Sequence, residues 1–115
     1  MYSYAALESA VAGRLFSRPR LCLLAISKEM HIERHTIEAA LRSTRGLTFR
    51  RFQQVVTLEK TRELLRVDPT VSIKEVAYAL GYGSPRAFAR FVRAATALSP
   101  RELRDRIHSD VSLQK

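Results

Sequence analysis

The sequence predicts an all-α fold of about seven helices, organised as two helix-turn-helix subdomains joined by a long linker helix. Three observations carry that expectation. Apolar residues recur with the helical period along most of the 115 residues, no stretch shows sustained strand alternation, and residues 33–50 match residues 84–101 at an offset of 51. A chain of this length holds one domain or two very small subdomains sharing an interface. Its 46% hydrophobic and 27% charged residues, with four Gly and four Pro, describe a folded globular protein and argue against disorder. A large enzyme is excluded by length alone.

Tyr4, Leu7, Val11 and Leu15 fall on one stripe of a first helix that ends near Phe16. Pro19 suits a first helical turn, and Leu23, Ile26 and Met30 follow at helical spacing, so a second short helix is expected from about Leu21 to Met30. Ile37, Ala40 and Leu41 define a third helix, stopped by Gly46 at a position suited to a left-handed cap. Thr48 can cap a long fourth helix, whose apolar positions Phe52, Val55, Val56, Leu58 and Leu65 carry it to about Arg66 before Asp68-Pro69 breaks it. Ser72 and Glu75 form a capping-box pattern for helix five, which turns Ile73, Val76, Ala77 and Leu80 inward and ends at Gly81. Ser84-Pro85 and Ser99-Pro100 each combine a cap with a first-turn proline and start helices six and seven. The expected organisation is a first helix-turn-helix subdomain at 1–47, the linker helix at 48–67, a second subdomain at 68–107 and a polar tail at 108–115.

The repeat pairs Ile37 with Phe88, Leu41 with Val92, Arg42 with Arg93, Leu47 with Leu98, Thr48 with Ser99 and Arg50 with Arg101. Upstream the offset becomes 50, pairing Leu23 with Ile73, Ile26 with Val76, Ser27 with Ala77 and His31 with Gly81. Each copy reads as a short helix, a tight turn and a second helix with a polar outer face, and the small Ser27 or Ala77 lets the two helices approach closely. Two packed helical hairpins with solvated arginines would share this spacing. A helix-turn-helix unit, however, docks its second helix in the major groove of duplex DNA.

Twenty basic residues against eleven acidic ones give a formal charge of +9, and all but four of the twenty are arginine. The excess is three in each of 1–46, 47–67 and 68–107 and nil in the tail, so the cations sit on folded segments that suit an extended polyanion touched at several points. The single Cys22 excludes an internal disulfide and, near the start of helix two where a thiol caps poorly, is expected to be buried or half-buried. The longest apolar run, Leu21 to Ile26, falls short of the ~20 residues of a membrane span, and the start of the chain lacks the pattern of a secretion signal. A cytoplasmic location is expected. His31 and His35 lie four apart, as in a zinc-protease helix, but no Glu follows the first His and His31 is placed in a turn, so no metal is expected. Gly81-Tyr82-Gly83 lacks the strand and third glycine of a dinucleotide loop; its glycines are expected to supply positive φ to the turn. No base, oxyanion donors or paired carboxylates accompany Cys22, and neither catalysis nor a cofactor is expected.

Helix six presents Arg86, Arg90 and Arg93 on one stripe opposite the inward Phe88 and Val92. The string SIKEVAYALGYGSPRAFARFVRAATALSPRELR, Ser72 to Arg104, resembles the DNA-binding domain of the AraC/XylS family of transcription regulators, and RELL after Phe52 is similar to that family's linker helix. The resemblance extends over about 4–107 and implies a homeodomain-like fold with recognition helices at about 33–45 and 84–95, entering successive major grooves about 34 Å apart. It places Arg86 and Arg90 against bases and the helix start, at Ser84, against phosphate; Arg93 is expected either to position the backbone or to be a solvated charge near the helix end. In helix three it places His35, Glu38 and Ala39 at base-facing positions, with Arg34, Arg42 and Arg45 also outward. Ala39 cannot donate a hydrogen bond. Glu38 either accepts from cytosine N4 or pairs with Arg34 or Arg42, holding them for phosphate contact.

Three further departures from the family are expected to matter. Ala97 replaces a glycine, so the second unit is expected to end differently; Cys22 replaces a capping Ser or Thr; and Leu24 and Ala25 leave an apolar outer face on helix two, either a contact surface or merely solvated. The resemblance implies a sequence-specific regulator of transcription, an activator contacting RNA polymerase, that binds double-stranded DNA as a monomer unless fused to a dimerising sensor domain. With no room for an effector-sensing domain, the chain is expected to be a stand-alone short regulator or a detached DNA-binding portion. The other readings are a nonspecific nucleoid-type or RNA-binding basic protein, and a docking module working through Leu24. RNA is disfavoured by the lack of a stacking platform.

Overall fold

The computed structural model describes residues 3–113. Seven helices follow one another: α1 (Tyr4–Ser17), α2 (Leu23–Met30), α3 (Arg34–Arg45), α4 (Phe49–Val67), α5 (Ile73–Ala79), α6 (Pro85–Thr96) and α7 (Pro100–Leu113). No strand occurs among the described residues. The chain divides into two compact units, Met1–Thr57 and Leu58–Lys115, with the division inside α4. The linker helix therefore belongs to both units: Phe52 and Val56 join the first core and Leu65 joins the second. Helix α7 continues through residue 113 into the segment read as a tail, and residues 114–115 lie outside the described residues.

In the first unit α1 and α2 both pack against α3. Ser3 caps α1 by accepting from the Ala6 N–H at 3.1 Å, and Leu7, Val11 and Leu15 form its buried face. Tyr4 leaves the expected stripe and stands 44% exposed, because the first residue of the helix reaches past the core that Leu7 begins. The second helix starts later than the sequence suggests. Pro19 is buried in the turn before it, not in its first turn, and the Gln53 amide of α4 donates to the Pro19 and Leu21 carbonyls at 2.8 and 3.0 Å. With those carbonyls held from outside, a turn closed by the Leu21 N–H on the Arg18 carbonyl at 3.0 Å occupies the place of a first helical turn, and α2 starts only after the extended Cys22. Cys22 occupies the N-cap without a side-chain cap bond, and its thiol is exposed rather than buried.

Each tight turn closes by the same bond. The Ile32 N–H donates to the Ser27 carbonyl at 3.2 Å, and fifty residues later the Tyr82 N–H donates to the Ala77 carbonyl at 3.0 Å. Such a closure needs a left-handed residue just before the donor. Gly81 supplies it at φ 89, whereas His31 adopts φ 56 at the matching place; Gly83 is not among the positive-φ residues. Ser27 adds a hydroxyl bond to the Ile32 carbonyl, which helps hold His31 in that conformation.

The second unit packs α5 and α7 against α6, around Phe88, Val92, Val76, Leu80 and Leu103. Tyr82 stacks beside Phe88 and Phe91 with ring centroids 5.5 and 5.9 Å away. The predicted caps are present: Ser72 accepts from the Glu75 N–H at 3.0 Å, Ser84 from Ala87 at 3.1 Å and Ser99 from Glu102 at 3.1 Å. Arg104 donates to the Val71 carbonyl at 2.7 Å and His108 Nε2 to the Leu65 carbonyl at 3.1 Å, fastening α7 to the rest of the unit.

The ends of α3 and α6 close in the same form, contrary to the expectation from Ala97. Gly46 has φ 66 and donates to the Arg42 carbonyl at 2.9 Å; Ala97 has φ 64 and donates to the Arg93 carbonyl at 2.8 Å. The packing of α6 and α7 on one core forces the left-handed corner even where a Cβ opposes it, at a cost of ~1–2 kcal/mol for an L-residue. Ala97→Gly should therefore raise the stability of the second unit by about 1 kcal/mol after the greater freedom of unfolded glycine is subtracted. Gly46→Ala should lower that of the first by a similar amount, since no atom lies within 4 Å of an added Cβ and only the backbone resists it. Urea unfolding of each variant beside the wild type checks both signs.

Candidate nucleic-acid interface

Helix α6 is strongly amphipathic because its residue types alternate with the helical period. Phe88 and Val92 are fully buried, while Arg86, Arg90 and Arg93 are exposed. None of the three arginines forms an ion pair among the described residues, and α6 contains no acidic residue. Its Ser84 N-cap keeps its oxygen on the Ala87 N–H, and Pro85 fixes the first turn, so the helix start is rigid and the arginine stripe is presented on a fixed axis.

Helix α3 carries a different surface. Ile37, Ala40 and Leu41 are buried, and Arg34, His35, Glu38, Ala39 and Arg42 are exposed. Glu38 pairs with neither Arg34 nor Arg42 among the described residues, so the alternative in which it holds them is not the arrangement seen. His35 Nδ1 lies 3.2 Å from Glu33 Oε2, both side chains being largely solvated. Glu33 is the N-cap of α3 without a side-chain cap bond. His31, at the left-handed cap of α2, does not share a helix with His35.

Arg45 differs from its neighbours. Its guanidinium donates to Glu8 of α1 at 3.1 Å and lies 5.5 Å from the centroid of the Phe52 ring. A sequence-local reading makes it another outward cation. Its partner lies 37 residues away, a separation that no periodicity reveals. A second cluster ties α1 to α2: Arg18 makes a two-pronged contact with Glu29 at 2.6 and 2.7 Å, and Arg14 Nε approaches the same carboxylate at 3.4 Å. The Arg18 hydrogen bonds hold the Glu29 carboxyl below its ordinary range, with Arg14 adding to the effect.

Residues 26–106, most of the chain, match a family model described as a helix-turn-helix domain. The chain is 31% identical over 84 residues to the transcriptional activator RhaS of Salmonella arizonae, an alignment covering 73% of this chain and 30% of that protein. Among solved structures, a transcriptional regulator with an AraC-type DNA-binding domain from Chromobacterium violaceum superposes with a TM-score of 0.75 at 19% identity, covering 88% of this chain and 91% of the other. The chain belongs to the AraC/XylS family. The DNA-binding domain of AdpA, solved with a target DNA, shares this fold with a TM-score of 0.73 at 20% identity, covering 93% of this chain and 94% of that one.

As an AraC/XylS member the chain falls in a family of DNA-binding transcription regulators. It spans less than a third of the length of the RhaS relatives it matches. No helix among the described residues is long and apolar enough to cross a membrane. The repeat that pairs residues 33–50 with 84–101 makes α3 and α6 corresponding elements.

The corner behind α6 contains a complete capping box: Glu102 accepts from the Ser99 N–H at 2.9 Å while Ser99 accepts in return. The Ser99 N–H first, then the Ser99 side chain and the charges of Arg93 and Arg106, hold the Glu102 carboxyl below its ordinary range. A carboxyl depressed on folding contributes stability that is full above its unfolded value of about 4.3 and is lost as pH falls through the depressed value. The urea midpoint should fall on acidification from neutral pH to about pH 3, and in Glu102→Gln the fall should be smaller, with Glu29 and Asp68 accounting for part of what is left.

Proposed function

We propose that the chain is a sequence-specific double-stranded DNA-binding regulator of transcription that inserts α3 and α6 into successive major grooves. The observation that carries the proposal is the free, all-basic outer face of α6, set opposite a fully buried Phe88 and Val92. Arginine's planar fork matches guanine O6 and N7 together, and a good pair discriminates by ~1–3 kcal/mol. Arg86 and Arg90 are the base readers. Arg93, near the helix end, and Ser84, at its start, contact the backbone.

In the first unit His35 and Glu38 face bases and Arg34 and Arg42 face phosphates. Arg45 contributes through its hold on α1 and Phe52, so its effect on binding runs through the placement of α3. Ala39 offers only an apolar contact, and the first unit reads fewer bases than the second. The domain acts in the cytoplasm, binds as a monomer and activates promoters through RNA polymerase; the likeness to the activators named RhaS supports the activating role, and the likeness to the DNA-bound AdpA domain supports a duplex partner. It has no catalytic role.

Selection from random duplexes at physiological salt tests the proposal. Enrichment of a motif with two half-sites about one turn apart supports it, and uniform binding to all sequences contradicts it. Arg86→Ala should erase preference at particular bases. Arg93→Ala should weaken all sequences alike and flatten the dependence of log K on log salt by about 1.

A further inference from the structure

The corners that follow α3 and α6 close with the same backbone bonds and caps, and between residues 46–51 and 97–102 they differ in charge only where Arg51 stands opposite Glu102. After α3, Gly46 closes the helix on Arg42 and Thr48 accepts from the Arg51 N–H at 3.2 Å. After α6, Ala97 closes the helix on Arg93 and Ser99 accepts from the Glu102 N–H at 3.1 Å. The offset of 51 thus pairs Arg42 with Arg93, Arg50 with Arg101 and Arg51 with Glu102. All six side chains are exposed.

In the second unit the place of Arg51 holds a carboxylate: Glu102 accepts from the Ser99 N–H at 2.9 Å at the corner that Ala97 closes on Arg93, with which it forms no ion pair among the described residues. In the first unit the same place holds a cation. Arg51 has only a 3.4 Å contact to Gln54 Oε1, and neither it nor Arg42 forms an ion pair among the described residues. Glu8, the carboxylate of α1, is held by Arg45, and Glu38 stays apart from Arg42. Three arginines therefore share a corner whose counterpart has two arginines and a carboxylate. Exposed like charges repel one another only weakly in water, but with no internal counter-ion they remain available to an external anion, and guanidinium forks match phosphate oxygens.

We infer that the α3–α4 corner is a phosphate site for the DNA backbone, with Arg51 joining Arg42 as a positioning residue, and that Glu102 occupies the anion's place in the second unit. The inference rests on the reading of the chain as a duplex-binding domain. It divides the work between units. The first, poor in base readers, takes the larger share of the backbone, and the second, with a carboxylate at its corner, the larger share of the sequence reading.

Arg51→Glu separates this role from folding. It writes the second unit's residue into the first and completes a capping box with Thr48, so the fold is supported rather than weakened. Binding is measured by fluorescence anisotropy over a salt series with two duplexes, one selected and one scrambled. Arg51→Glu should keep or raise the melting midpoint, weaken both duplexes about tenfold or more, and flatten the salt slope by about 2 as Arg51 is lost and Arg42 neutralised. Glu102→Gln, which preserves the cap, should strengthen both duplexes and steepen the slope by about 1. An unchanged slope in Arg51→Glu, or a loss confined to the selected duplex, overturns the phosphate site while leaving the DNA-binding reading intact. Failure of the wild-type chain to bind either duplex overturns both.

Discussion

The structure depends on complete burial of the inner faces of α3 and α6. Ile37 and Leu41 in α3, and Phe88 and Val92 in α6, have no exposed surface. Truncating a side chain such as Phe88 to Ala removes ~3–5 kcal/mol, a large share of what a small domain has. With that face fixed, the helical period leaves no choice about the opposite one: residues at 86, 90 and 93 must point away from the core. An arginine stripe on solvent is thus a consequence of where Phe88 and Val92 go. The left-handed corners at Gly46 and Ala97 add the second constraint, since they fix where each helix stops and the next begins.

The repeat preserves this frame and lets the chemistry on it diverge. Helix α6 has only basic charges, whereas α3 mixes Arg34 and Arg42 with Glu38 and has Glu33 as its N-cap. At the turns, glycine supplies the left-handed residue in one copy and His31 in the other; at the corners, glycine supplies it in one and Ala97 in the other. Each unit therefore carries one strained non-glycine residue held by surrounding packing. The charge exchange between Arg51 and Glu102 occurs at one of these preserved corners, which is why it can be read as a difference in binding rather than in folding.

The local features were legible in the sequence. Ser72, Ser84 and Ser99 cap helices because their oxygens meet N–H groups three residues on, and Gly46 stops one because it alone tolerates the corner without strain. What the letters did not disclose depends on residues far apart. Gln53 holds the Pro19 and Leu21 carbonyls, which delays α2, and Glu8 captures Arg45. Ala97 misled for a related reason: local preference forbids the left-handed state that tertiary packing imposes. Of the candidate site, the stripe on α6 was readable from spacing, while Arg51 emerged only when the two corners were compared atom by atom.

Backbone amide chemical shifts, followed while a selected duplex is added to the labelled chain, address the central claim most directly. The account predicts that residues of α3 from Arg34 onward and of α6 from Ser84 onward move together over the same titration. Movement of α6 with α3 unchanged, or changes gathered around Leu24 on the outer face of α2, would contradict it.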